Sequence, residues 1–122
     1  MALSTLSRSI KGEVAIVTGA ARGIGQATAI ALAKEGAAAV VLVDVKEKQL
    51  AETAGLVEAE GAQAIKACTD VGDLVALQNL FTEVESRFGR LDILHNNAGI
   101  GEGNAQWPDV APERLLAIID VN

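Results

Sequence analysis

Apolar residues along the chain fall into short continuous runs that alternate with stretches of helical spacing. The first run, Val14 to Thr18, is followed by an alanine-rich segment from Ile24 to Glu35 that predicts a helix. The order repeats with a β-branched run from Ala39 to Asp44 and a helix predicted over Lys46 to Glu60, which stops at Gly61. Continuous apolar runs of this length are typical of strands buried on both faces of a sheet.

The second half of the chain continues the alternation. A third strand is predicted from Ala62 to Cys68 and a fourth from Leu91 to Asn96, with a helix between them that ends at Gly89. A glycine-bearing loop from Gly99 to Ala111 follows, and Pro112 is well placed as the first residue of a last helix. The helix before Gly89 places six apolar side chains on one face: Leu74, Leu77, Leu80, Phe81, Val84 and Phe88.

This alternation predicts the fold class. Strands that alternate with helices form parallel β-α-β crossovers, which are right-handed and place helices on both faces of the sheet. We therefore expect an α/β fold with a doubly wound parallel sheet, of which about four strands are present. Residues 1–10 are expected to form an N-terminal extension, and residues 11–122 the domain itself.

Composition narrows the class of protein. The chain has 122 residues, of which 50% are hydrophobic, the size and balance of one globular domain. Its apolar stretches are too short for a membrane span or a signal-peptide core, so we expect a cytoplasmic protein. A net charge of −6 without a basic cluster disfavours nucleic-acid binding. One cysteine and one histidine disfavour a metal site.

The sequence TGAARGIG, from Thr18 to Gly25, lies between the first predicted strand and the first predicted helix. In that place a dinucleotide pyrophosphate meets the N-terminus of the helix. Gly19 permits a sharp turn, Gly23 lets the backbone approach phosphate, and Gly25 lets the helix pack closely. The motif lacks the Lys and Ser/Thr of a Walker-type loop, which argues against a kinase or an ATPase.

Asp44 ends the second predicted strand, about 20 residues after the glycine motif. A carboxylate there accepts hydrogen bonds from the adenosine ribose hydroxyls and repels a 2′-phosphate. Because Val45 rather than an arginine follows Asp44, the sequence favours NAD over NADP as the cofactor. Arg22 and Lys46 lie close enough to weaken this preference. A plainer role for Asp44 is to cap the next helix.

Two more motifs complete a pattern. Asp70 and Val71 follow the third strand, and NNAG spans Asn96 to Gly99. Together with TGAARGIG and Asp44, these motifs resemble those of the short-chain dehydrogenase/reductase family, from Lys11 to Asn122. The resemblance implies a Rossmann-type fold, with Asp70 and Val71 beside the adenine. It implies the following cofactor-binding residues: Gly19, Arg22, Gly23, Ile24, Gly25, Asp44, Asp70, Val71, Asn97, Ala98 and Gly99.

The same resemblance implies an activity, the NAD-dependent transfer of hydride between nicotinamide and an alcohol or carbonyl substrate. It also implies a catalytic role for Asn122, whose main chain would hold a water that links the catalytic lysine to solvent. The family's Tyr-x-x-x-Lys pair has no counterpart here, because the sequence contains no tyrosine. We therefore expect this segment to be the N-terminal half of a longer dehydrogenase, a homodimer or homotetramer when complete, and to be inactive alone.

Other interpretations stay open on the sequence. A noncatalytic nucleotide-binding or regulatory module would keep the glycine motif without the tyrosine and lysine. A methyltransferase also uses a glycine turn and an acidic residue, although NNAG argues against it. Among single residues, Asp70 and Asp73 have a plain role as helix caps. Cys68 is expected to be a small core residue, and His95 a hydrogen-bonded structural residue.

Overall fold

A computed structural model describes residues 9–97 of the chain as alternating strands and helices. The strands are β1 (Val14–Thr18), β2 (Ala39–Asp44), β3 (Gln63–Cys68) and β4 (Ile93–Asn96). The helices are α1 (Gly23–Lys34), α2 (Glu47–Ala59) and α3 (Leu74–Phe88). The predicted alternation of elements is therefore confirmed, and only the boundaries shift slightly.

The described strands form one parallel sheet in the order β3-β2-β1-β4. Thr18 at the end of β1 pairs with Val43 on one side and with Asn96 on the other. The carboxyl ends of the strands thus share one edge of the sheet. From β1 the sheet extends to β2 and β3 on one side and to β4 on the other, so the strand order reverses beside β1. Doubly wound folds bind ligands outside such a switch point, at the carboxyl ends of the strands. The expected doubly wound α/β sheet is confirmed.

Side chains of the central strands alternate between two apolar layers. On one face, Val17, Val40 and Leu42 pack with α1 and α2. On the other face, Ile16 and Val41 pack with α3. All five are fully buried, because a central strand covered on both faces has no solvent side. The helices contribute Ala29, Ala33, Leu50, Ala54 and Val57 to the first layer, and Leu80 and Val84 to the second.

Both ends of α3 carry the predicted signals. The Asp73 carboxylate accepts a hydrogen bond from the Ala76 N–H at 3.0 Å and caps the helix. Gly89 ends the helix with φ +70°, a left-handed conformation that favours glycine. The Asp70 carboxylate instead accepts a hydrogen bond from the Gly72 N–H at 2.8 Å. Asp70 therefore stabilises the turn before α3 and is not the helix cap.

One expectation about the outer strands, that for Cys68, needs correction. Cys68 is exposed and is not a core residue, because it ends β3 at one edge of the described sheet. β4 lies at the other edge of the described sheet, and its Ile93, Leu94 and His95 are half-buried. His95 does have a polar neighbour, since its Nε2 lies 3.5 Å from the Thr28 hydroxyl. A structural role for His95 agrees with this contact.

Two of the predicted elements lie beyond the part of the chain that the structure describes. The predicted loop from Gly99 to Ala111 and the helix expected to begin at Pro112 lie outside residues 9–97. Within residues 9–97, no helix has the length and apolar character needed to cross a bilayer. In the same range, no group of His, Cys, Asp and Glu side chains is arranged to hold a metal ion.

Candidate cofactor-binding site

The glycine motif forms the turn between β1 and α1, at the carboxyl edge of the sheet. Gly19 has φ +66° and Gly23 has φ +61°. Residues with a Cβ are strained in this left-handed region, so the turn requires glycine at both positions. A Cβ on Gly23 would have no heavy atom within 4 Å, so this part of the turn faces open space.

Gly25 is buried in the first turn of α1, directly against the glycine turn. A Cβ at this position would overlap the carbonyl oxygen of Gly19 and would lie 2.9 Å from Nδ2 of Asn97. The helix therefore begins in contact with the turn, which is the close packing expected at Gly25. The same contact places Asn97 beside the turn.

Strand β2 holds the glycine turn from one side. The Ala20 N–H donates to the carbonyl oxygen of Val43 at 3.1 Å. The Ala21 N–H donates to Oδ2 of Asp44, also at 3.1 Å. The other oxygen of Asp44 accepts a hydrogen bond from the Lys46 N–H at 3.1 Å. The half-buried Asp44 carboxylate thus lies next to the turn, and each oxygen keeps a lone pair for another donor.

The N-terminus of α1 adjoins the turn. Arg22 is its N-cap residue and is exposed, and its side chain makes no capping hydrogen bond. The first N–H groups of a helix have no partner within the helix and carry the positive end of its dipole. The N-cap residue of α2, Lys46, also makes no side-chain cap, so only the glycine turn beside α1 distinguishes its N-terminus as a candidate phosphate site. Ile24 is 70% exposed at this rim.

Strand β4 holds the turn from the other side, through Thr18. The Asn97 N–H donates to the Thr18 hydroxyl oxygen at 2.9 Å. The same hydroxyl lies 3.1 Å from Oδ1 of Asn96, to which it donates. These bonds join the ends of β1 and β4, and they bring the start of the NNAG motif to the glycine turn.

Other predicted site residues lie farther along the same edge or beyond the described range. Asp70 is exposed after β3, and Val71 packs against the apolar layer under α3. Both residues lie at the carboxyl edge of the sheet, and their place beside the adenine stays a prediction. Ala98, Gly99 and Asn122 lie outside the described residues.

Sequence reasoning missed two polar residues under the turn. Thr53 on α2 is fully buried, and its hydroxyl donates to the Ala20 carbonyl oxygen at 2.9 Å. The Gln26 side chain on α1 donates to the same hydroxyl at 3.0 Å. The sequence did contain a signal for Thr53, because it lies three residues after Leu50 and four before Val57, the spacing of the buried face of α2.

The sequence matches the family model described as short chain dehydrogenase over residues 13–122. The chain belongs to the short-chain dehydrogenase family. An uncharacterised oxidoreductase of Methylorubrum extorquens is 41% identical over 113 residues, which cover 93% of this chain and 45% of that protein. The expected family and its class of enzyme, oxidoreductases, are thus confirmed.

Solved structures of short-chain dehydrogenases have the same architecture. One from Mycobacterium paratuberculosis, bound to NAD, is 34% identical with a TM-score of 0.72, over 93% of this chain and 46% of that one. L-sorbose reductase from Gluconobacter frateurii, complexed with NADPH and L-sorbose, is 36% identical with a TM-score of 0.71, over 93% of this chain and 43% of that one. This short-chain dehydrogenase therefore has the Rossmann-type fold, and its chain spans a little under half of these relatives.

Proposed function

We propose that this chain forms the cofactor-binding half of an NAD-dependent oxidoreductase. The observation that carries the proposal is the Asp44 carboxylate, which lies beside the glycine turn and bonds to the Ala21 N–H at 3.1 Å. A pyrophosphate at the turn and a ribose at Asp44 are neighbouring parts of one dinucleotide. The reaction proposed for the complete protein is hydride transfer between nicotinamide and an alcohol or carbonyl carbon.

The described residues fit a dinucleotide. The turn leaves open space at Gly23, and the N-cap residue of α1, Arg22, does not cap the first N–H groups of the helix with its side chain. Phosphate oxygens are suitable acceptors for such groups. The Asp44 oxygens keep lone pairs that accept hydrogen bonds from ribose hydroxyls. NAD, when bound, supplies the hydride acceptor, and the chain's part is to hold and orient it.

The choice of NAD over NADP rests on the charge of Asp44. A 2′-phosphate on the adenosine ribose would approach this carboxylate, and two negative charges at close range repel each other. Structural relatives include an NAD complex and an NADPH complex, so the family uses both cofactors. We propose NAD for this chain, even though Arg22 and Lys46 carry positive charge near the turn.

The remaining parts of the proposal concern the complete protein. Its substrate is a small-molecule alcohol or carbonyl compound, and its assembly is a homodimer or homotetramer. Asn122 belongs to its proton relay, while a serine and a tyrosine-lysine pair from outside these residues perform the acid-base step. The proposed location is the cytoplasm, with no role in nucleic-acid or membrane binding.

The test is a comparison of NAD and NADP binding by isothermal titration calorimetry, with the chain and its Asp44→Asn variant. Asparagine keeps an oxygen for the Ala21 N–H but removes the negative charge. We expect the unmodified chain to prefer NAD by at least about tenfold, since hydrogen bonds to a charged group contribute about 1.5–3 kcal/mol. In Asp44→Asn this preference should fall severalfold. Glu47→Gln, an exposed charge change in the first turn of α2, is the control and should keep it.

Two results would contradict the proposal. One is a lack of NAD binding by the folded chain, which would remove the cofactor site itself. The other is a preference for NAD that is the same in Asp44→Asn as in the unmodified chain, which would remove the role of Asp44. Circular dichroism of each variant would show that the fold is intact.

A further inference from the structure

A threonine hydroxyl lies buried beneath the glycine turn. Thr53 is on α2 and has 0% exposure. Its hydroxyl oxygen is 2.9 Å from the carbonyl oxygen of Ala20 and 3.0 Å from Nε2 of Gln26. The glycine turn, α1 and α2 therefore meet at one oxygen atom.

The single hydrogen of this hydroxyl has several possible acceptors. The Gln49 carbonyl, one helical turn earlier on α2, lies 3.3 Å away, and the Ala21 carbonyl lies 3.4 Å away. A threonine inside a helix commonly donates to its own helix in this way. Here the Ala20 carbonyl is the nearest acceptor at 2.9 Å, so the hydroxyl is directed at the turn. The Gln26 amide fills an acceptor position of the same oxygen.

The hydrogen bond from Thr53 completes the support of the turn. The Ala20 N–H is bonded to β2 at Val43, and the next N–H, that of Ala21, is bonded to the Asp44 carboxylate. The Ala20 carbonyl shares one trans peptide plane with the Ala21 N–H, so Thr53 and Asp44 hold this plane from its two opposite sides. With both groups of Ala20 fixed, the peptides that lead into α1 have one orientation, and so do the N–H groups at the start of that helix.

We propose that Thr53 is a positioning residue for the dinucleotide site. Its hydroxyl holds the glycine turn in the shape that receives the pyrophosphate, and it does not touch the cofactor. This inference rests on the proposed function, since it assumes that the turn binds the phosphates of NAD. It predicts a selective effect, because loss of the hydroxyl weakens binding of the pyrophosphate more than binding of the adenosine held near Asp44.

The experiment measures NAD affinity by calorimetry and adenosine affinity by ligand-observed NMR. Thr53→Val keeps the shape of the side chain and removes the hydroxyl, while Thr53→Ser keeps the hydroxyl. We expect Thr53→Val to bind NAD about fivefold more weakly or worse, the size of one lost hydrogen bond. Adenosine affinity should change by less than about twofold, and Thr53→Ser should return NAD affinity to within about twofold of the unmodified chain.

Val57→Ala is the matched control for a purely structural effect. Val57 lies one helical turn after Thr53 on α2, is also fully buried, and belongs to the core without a polar contact to the turn. Its truncation lowers stability, but the folded molecules should bind NAD with unchanged affinity. If Thr53→Val does not fold, the double variant Gln26→Leu/Thr53→Val replaces both side-chain partners with apolar groups, a change that proteins tolerate better.

The outcomes separate this inference from the proposed function. If the unmodified chain does not bind NAD, the proposed function fails. If it binds NAD and folded Thr53→Val binds it equally well, the inference alone is overturned. Equal losses for NAD and adenosine, or equal losses in Thr53→Val and Val57→Ala, would also overturn it, because NAD affinity would then follow general stability. Absence of rescue by Thr53→Ser would do the same.

Discussion

Two helical glycines offer a matched test of how the cofactor site is built. Gly25 lies in the first turn of α1, and Gly55 lies inside α2. A Cβ at Gly25 would overlap the Gly19 carbonyl oxygen and would lie 2.7 Å from the Gly19 carbonyl carbon. A Cβ at Gly55 would have no neighbour within 4 Å. The substitutions Gly25→Ala and Gly55→Ala therefore add the same methyl group to a helix, with and without a collision.

The expected magnitudes follow from two terms. Alanine is favoured over glycine inside a helix by about 1 kcal/mol, and at Gly55 nothing opposes this preference. Overpacking of a well-packed region costs about 1–3 kcal/mol, and at Gly25 the atoms in the way are backbone atoms of a hydrogen-bonded turn. We therefore expect Gly55→Ala to raise the free energy of unfolding by about 0.5–1 kcal/mol, and Gly25→Ala to lower it by up to about 2 kcal/mol, the cost of the collision less the helix preference.

Urea unfolding followed by circular dichroism measures the stability difference, and calorimetry with NAD measures its consequence for the site. Because Gly25→Ala can be accommodated only by a shift of the glycine turn, NAD affinity should fall at least about tenfold. Gly55→Ala should bind NAD like the unmodified chain. The reasoning is refuted if Gly25→Ala is as stable as Gly55→Ala, or if it binds NAD with unchanged affinity.

Three further substitutions test side-chain hydrogen bonds that support the fold. Asp73→Ala removes the cap at the Ala76 N–H, and we expect the free energy of unfolding in urea to fall by about 1 kcal/mol; an unchanged unfolding midpoint would contradict the capping role. Asp92→Ala removes the acceptor of the buried Val14 N–H, a 2.9 Å bond, and should destabilise the fold by about 1–3 kcal/mol. Arg90→Ala should lower stability much less, although the hydrogen bond with Asp92 raises the pKa of Arg90. If Arg90→Ala and Asp92→Ala lost the same stability, the Val14 N–H bond would not be the main contribution of Asp92.

The sequence predicts those parts of the structure that depend on local rules. Continuous apolar runs identify β1 and β2 because both faces of a central strand are buried. Gly19, Gly23 and Gly25 are recognisable because a Cβ would be strained or would collide at each position. The Asp73 cap and the Gly89 stop follow from the orphaned groups at helix ends.

The errors arise where the answer depends on neighbours in space. Cys68 has the pattern of a strand residue, and its exposure follows from the place of β3 at the edge of the described sheet, which no local pattern records. Thr53 was missed for a similar reason. It has the spacing of a core residue on α2, but its hydroxyl bonds to a carbonyl 33 positions earlier in the chain. Strand order and interhelical contacts decide both cases.

The supports of the glycine turn show why the motif alone is not a binding site. Its hydrogen-bond partners lie 23 positions away at Asp44, 33 at Thr53, and 79 at Asn97, which bonds to Thr18 just before the turn. They belong to β2, to α2 and to the end of β4. The turn therefore reaches the shape seen in the structure only when the sheet has assembled across the β2-β1-β4 pairings. A glycine pattern in sequence identifies the loop, whereas the proposed dinucleotide site also needs side chains that this pattern does not contain.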